Sequence, residues 1–111
     1  MNRYDDEEIR SKLWLITQCI AELREHLAPN YTSRAYELLI NDFNAKEITA
    51  LDKYFTDCLR SDTIPTKSEF IERVKVITNN NPINEATAEK ILLAYQKEEL
   101  FLKVVGGILN S

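Results

Sequence analysis

Near the start of the chain the hydrophobic positions fall on one line. Ile9, Leu13, Ile16, Ile20, Leu23 and Leu27 succeed one another at spacings of 4, 3, 4, 3 and 4, the repeat that keeps side chains along one side of an α-helix. The spacing predicts a helix from about Asp5 to Ala28. Asp5, Asp6, Glu7 and Glu8 fill its first turn, where the positive end of the helix dipole favours carboxylates, and Pro29 ends it.

Shorter periodic segments follow, each with its own start and stop chemistry. A second helix is expected over about Thr32 to Asn41, behind a candidate cap at Asn30, with Asp42-Phe43 as the turn. Asn44-Ala45-Lys46-Glu47 has the form of a capping box and opens a third helix to about Arg60, with Ile48, Leu51, Phe55, Cys58 and Leu59 on one face. Thr66-Lys67-Ser68-Glu69 is a second such box, followed by Phe70, Ile71, Val74 and Ile77 at helical spacing. Asn79-Asn80-Asn81-Pro82 stops that helix, and Asn84 caps a fifth carrying Ala88, Ile91, Leu92 and Tyr95. The polar run Gln96 to Glu99 marks a break. The last helix is expected to hold Leu100, Phe101, Val104 and Val105 and to fray at Gly106-Gly107 or just beyond. The fold class this predicts is all-α: a compact bundle of five or six helices with a long N-terminal helix, residues 1–111 forming a single domain.

Composition agrees with that pattern. Two Gly in 111 residues leave little turn chemistry for a many-stranded sheet and no loop to cradle a phosphate. At this length one core can form without metal or disulfides. The 14 Lys and Arg against 18 Asp and Glu give a net charge of −4, which argues against nucleic acid as a partner, because phosphate neutralisation needs a basic face. No apolar run approaches the length of a membrane span, and the first residues lack the apolar stretch of a secretory signal. A cytoplasmic location is expected. Cys19 and Cys58 are read as reduced thiols, partly buried. The single histidine, His26, stands beside Glu22, Arg24 and Glu25 without an acid or nucleophile placed to work with it. Tyr31, Tyr36, Tyr54 and Tyr95, all near apolar stripes, are read as core residues with a wet hydroxyl. No catalytic, metal or cofactor constellation emerges, and the chain is expected not to be an enzyme.

The first helix carries the functional expectation. In heptad terms Leu13, Ile20 and Leu27 take the a positions, and Ile9, Ile16 and Leu23 the d positions. Parallel two-stranded coils favour the reverse, β-branched at a and Leu at d. The flanking positions hold Arg10, Lys12, Thr17, Cys19, Arg24 and His26 and no acid, so an in-register parallel pair gathers basic side chains along the seam. An antiparallel pairing, or packing against other helices, fits better. Trp14 and Leu15 lie off the seam and make positions 13 to 16 apolar around most of the circumference, more than one small domain readily covers. The candidate interface is therefore Ile9, Leu13, Trp14, Ile16, Ile20, Leu23 and Leu27, with Trp14 as either an interface anchor or a core residue. The expected partner is a second copy in a homodimer, or an unidentified protein.

Tyr36-Glu37-Leu38-Leu39-Ile40 followed by Asn44-Ala45-Lys46-Glu47 resembles the Tyr-x-Leu-Leu-Ile and Ser-Lys-Glu portion of the small YhaI-like proteins of Gram-positive bacteria. Phe70 in a short helix, the Asn-rich connector, Ile83 to Thr87 and Ala94-Tyr95-Gln96 before Leu100-Phe101 are similar to the same family. The resemblance implies a small multihelical, self-associating protein with no catalytic residues to carry over. Two other readings stand beside it: a bacteriocin-immunity or phage-encoded inhibitor protein of similar size, helicity and acidity binding one protein target, and a DNA-associated regulator using a helix-turn-helix formed by two of the short C-terminal helices. The second needs a basic helix face, which the interleaved acids of the C-terminal half oppose.

Overall fold

All but the last of the short helices begin where one polar side chain reaches the backbone ahead of it. In the computed structural model, which describes residues 6–111, the helices are α1 (Asp6–Leu27), α2 (Arg34–Ile40), α3 (Ala45–Arg60), α4 (Lys67–Ile77), α5 (Glu85–Lys97) and α6 (Leu102–Leu109). No strand occurs among the described residues. The all-α class is as the hydrophobic pattern predicts, with six helices of which the first is long. The expected start at Asp5 lies outside the described residues.

Asn44 accepts from the Glu47 amide at 2.8 Å while the Glu47 carboxylate accepts from the Asn44 amide at 2.8 Å. Thr66 and Glu69 repeat that reciprocal pair ahead of α4, and Asn84 accepts from the Thr87 amide ahead of α5. Each bond satisfies an amide that the first turn of a helix leaves without a partner. The cap of α2 differs from expectation. It is Ser33, accepting from the Tyr36 amide at 3.0 Å, and the helix starts at Arg34 instead of Thr32; Asn30 sits in the turn after α1.

The helix ends show how an all-α chain manages with so little glycine. After α2, α3, α4 and α5 the chain turns through a left-handed residue: Asp42 (φ 62°), Asp62 (φ 54°), Asn79 (φ 53°) and Glu99 (φ 59°). The next amide in each case returns to a carbonyl of the last turn, Phe43 to Leu38, Thr63 to Cys58, Asn80 to Lys75 and Leu100 to Tyr95. This is the Schellman closure, which elsewhere is made mostly by glycine. Asp and Asn tolerate it best among the other residues.

Contacts divide the chain after Tyr31 into two units. The first holds α1, whose end is closed by Arg24: its Nε donates to the Tyr31 carbonyl at 2.7 Å, and its own carbonyl accepts from the Ala28 amide at 2.8 Å. The second unit holds α2 to α6, with α5 packed against α2, α4 and α6. Its core centres on Phe55, which stacks on Phe70 and meets Tyr95 edge-on, ring centres 5.0 Å apart. Leu38, Leu51, Val74, Ile91, Leu92, Val104, Val105 and Ile108 complete it, all buried.

The junction before α6 departs from the expected one. Leu100 and Phe101 precede the helix, and Phe101 stands in the left-handed region at φ 50°. That conformation is costly for a bulky residue, but it delivers the ring to Phe55 and Tyr95. Gly106 and Gly107 lie inside α6, which runs on to Leu109, just beyond them. A Cβ on Gly107 would fall 2.4 Å from Ile64 Cγ2. The glycine there serves close approach of α6 to the loop before α4.

Candidate functional site

Within the first unit, sequence periodicity and surface exposure coincide. None of the residues of α1 is buried. Ile9, Leu13, Ile16, Ile20, Leu23 and Leu27 keep their single line, and all are exposed, from Ile20 at 36% to Leu27 at 77%. Trp14 is 61% exposed on α1. Leu15, beside it and equally open, was absent from the expected interface and belongs to the same surface. Eight large apolar side chains on one 22-residue helix form a continuous patch of the kind that marks an interaction surface.

The helix carries its charge unevenly. Asp6, Glu7 and Glu8 occupy the first turn, and Arg24 and His26 the last. Cys19 is exposed, a correction to its expected partial burial, and is free, as is the buried Cys58. His26 is also exposed. Tyr31, expected in the core, is on the surface at 47% exposure, because the chain after Pro29 turns without helix to bury it.

The second unit holds two polar clusters, and their chemistry reads as structural. In the first, the Tyr95 hydroxyl donates to Asp52 Oδ1 at 2.6 Å, and Arg34 donates to Asp52 Oδ2 through Nη2. The Arg34 guanidinium lies 5.2 Å from the centre of the Tyr95 ring, and the Arg34 amide donates to Glu98. Burial, reinforced by the Asp52 carboxylate, pushes the Tyr95 hydroxyl well above the ordinary tyrosine value. Such a phenol holds its proton near neutrality and does not serve as a base.

The second cluster lies between α3 and α4. Burial and then Cys58 push Tyr54 up to about 12, and the Arg73 guanidinium sits 5.4 Å from the centre of the Tyr54 ring. Burial likewise raises the Cys58 thiol, the opposite of what a nucleophilic cysteine needs. Open grooves of about 390 and 580 Å³ flank this pair, one edged by Lys53 and Asp57, the other by Glu69 and Glu72.

Among the described residues no group of His, Cys, Asp and Glu is placed to hold a metal ion, and no helix is long and apolar enough to cross a membrane. Comparison with protein-family models, curated proteins and solved structures gave no match. The α1 surface therefore stands as the candidate site on its own geometry.

Proposed function

We propose that this protein is a non-enzymatic interaction module that self-associates through α1, with Trp14 as an anchor. One observation carries the reading: eight large apolar side chains lie exposed on a single helix, six of them in an unbroken 4-3 repeat that suits another helix. Transfer of apolar surface out of water contributes about 25 cal/mol per Å², so covering such a patch is strongly favoured. The second copy is the occupant because the chain that bears the patch is always present at its own concentration. Free thiols at Cys19 and Cys58 accord with a cytoplasmic setting.

Light scattering after size exclusion tests the reading. At high micromolar concentration the particle is expected near twice the 12.9 kDa chain mass. Trp14→Ala is expected to weaken association at least tenfold while helix content by circular dichroism is unchanged. A strict monomer at that concentration overturns the proposal.

A further inference from the structure

We propose that one water molecule is a fixed part of the second unit, held between Arg34 Nε and Glu37 Oε1. The site is independent of what α1 binds.

An acid and a base define it, each with one atom left over. Glu37 is 2% exposed. Its Oε2 accepts from the Thr32 hydroxyl at 3.2 Å, while Oε1 is buried and has no hydrogen-bond partner in the protein. Arg34 is engaged elsewhere: its amide donates to Glu98, Nη2 donates to Asp52, and the guanidinium stands 5.2 Å from the centre of the Tyr95 ring. Its Nε is buried and is also without a partner. Among the described residues these are the two buried side-chain nitrogen or oxygen atoms in that condition. Charged groups lose most when they leave water without a hydrogen bond in exchange, so a pair of such atoms calls for a ligand.

The chemistry of the pair selects which one. Arg34 and Glu37 are three residues apart on α2, a spacing that sets side chains on the same side of a helix. One atom is a donor and the other an acceptor, yet they do not bond to each other; Arg34 forms its ion pair with Asp52. A cation placed here would meet the Arg34 guanidinium, and an anion the Glu37 carboxylate. A neutral molecule with a lone pair for Nε–H and a hydrogen for Oε1 avoids both conflicts. Water is the smallest that has them, and internal waters are kept by about two to four polar partners. With the water in place, hydrogen bonds run unbroken from Thr32 through Glu37, Arg34 and Asp52 to Tyr95. The segment ahead of α2 is thereby fastened to α3 and α5.

NMR of the full ¹⁵N-labelled chain tests the site through the Arg34 Nε–H. A direct NOE from that hydrogen to water is expected, with the sign given by a molecule that tumbles with the protein. Its exchange with solvent is expected to be at least about tenfold slower than that of the exposed Arg60. In Glu37→Met, which lacks the acceptor, the NOE is expected to vanish. A crystal structure of the unsubstituted chain is expected to show one ordered water within hydrogen-bond distance of both atoms, and this arm does not depend on how the variant folds. Nε bonded directly to Glu37 or to another protein oxygen overturns the proposal. An Nε–H that exchanges like that of Arg60, or an NOE that persists in folded Glu37→Met, overturns it as well.

Discussion

The Tyr95 hydroxyl donates to Asp52 across 2.6 Å, and this single bond ties α5 to α3 at the margin of the core. Tyr95 is wholly buried, and Asp52 also receives Arg34 from α2, so one carboxylate serves three helices. Asp52→Ala removes the acceptor and leaves a buried hydroxyl without a partner, at a cost of about 2–3 kcal/mol. Tyr95→Phe deletes the hydroxyl itself and costs less, about 1–2 kcal/mol. Urea unfolding of both single variants and the double variant checks the relationship. Tyr95→Phe is expected to cost much less in the Asp52→Ala background than in the parent.

The same burial makes stability fall on the alkaline side. Native Tyr95 and Tyr54 both hold their protons above the ordinary tyrosine value of about 10. Between that value and the native one the unfolded chain releases protons that the folded chain keeps, so rising pH favours unfolding. The contribution is whole below about pH 10 and for Tyr54 is lost as pH climbs through about 12. Tyr54→Phe and Tyr95→Phe are each expected to flatten the decline in the urea midpoint measured from pH 9 upwards. A slope identical to that of the parent in both variants contradicts the assignment.

The two adjacent glycines of α6 should respond to alanine in opposite directions. A Cβ on Gly106 meets only Gln96 Nε2, at 3.9 Å, which is ordinary contact, so Gly106→Ala keeps the helical gain of about 0.5–1 kcal/mol. A Cβ on Gly107 falls 2.4 Å from Ile64 Cγ2 and 2.9 Å from Cδ1, so Gly107→Ala forces the loop and α6 apart and costs about 1–3 kcal/mol. Thermal unfolding of both variants checks the pair. Ile64→Ala added to Gly107→Ala is expected to recover part of the loss.

What the sequence made legible, and what it hid, follows from the range of each interaction. The boxes Asn44/Glu47 and Thr66/Glu69 and the Asn84 cap act within four residues, so the chain announces them wherever the helices later pack. The line from Ile9 to Leu27 was legible for the same reason: periodicity along one helix is a local property. Arg34, Asp52 and Tyr95 lie on three helices, and nothing in their sequence neighbourhoods ties them together. Phe101 was misplaced into a helix because its apolar character matches the helical pattern, whereas its ring reaches Phe55 and Tyr95 through a left-handed backbone. The glycines left the end of α6 legible only to within a few residues: propensity allowed fraying at Gly106-Gly107 or just beyond, and the helix runs on to Leu109, where Ile64 requires the missing side chain of Gly107.

Glu99 offers the last test, because it holds a left-handed turn with an unsuited residue. At φ 59° its Cβ crowds the following carbonyl, a strain of about 1–2 kcal/mol for residues other than glycine. The closure it supports is sound, since the Glu99 amide donates to the Gln96 carbonyl and the Leu100 amide to the Tyr95 carbonyl, both at 3.0 Å. Glu99→Gly retains both bonds and removes the strain, while glycine loosens the unfolded chain. The net expectation is a gain of about 0.5–1 kcal/mol, read as a higher urea midpoint with an unchanged slope. Asn79→Gly, at a similar φ of 53°, is expected to gain less, because the short amide side chain of Asn already tolerates that backbone. The difference between the two substitutions therefore isolates the side-chain strain at Glu99 from the general effect of introducing glycine.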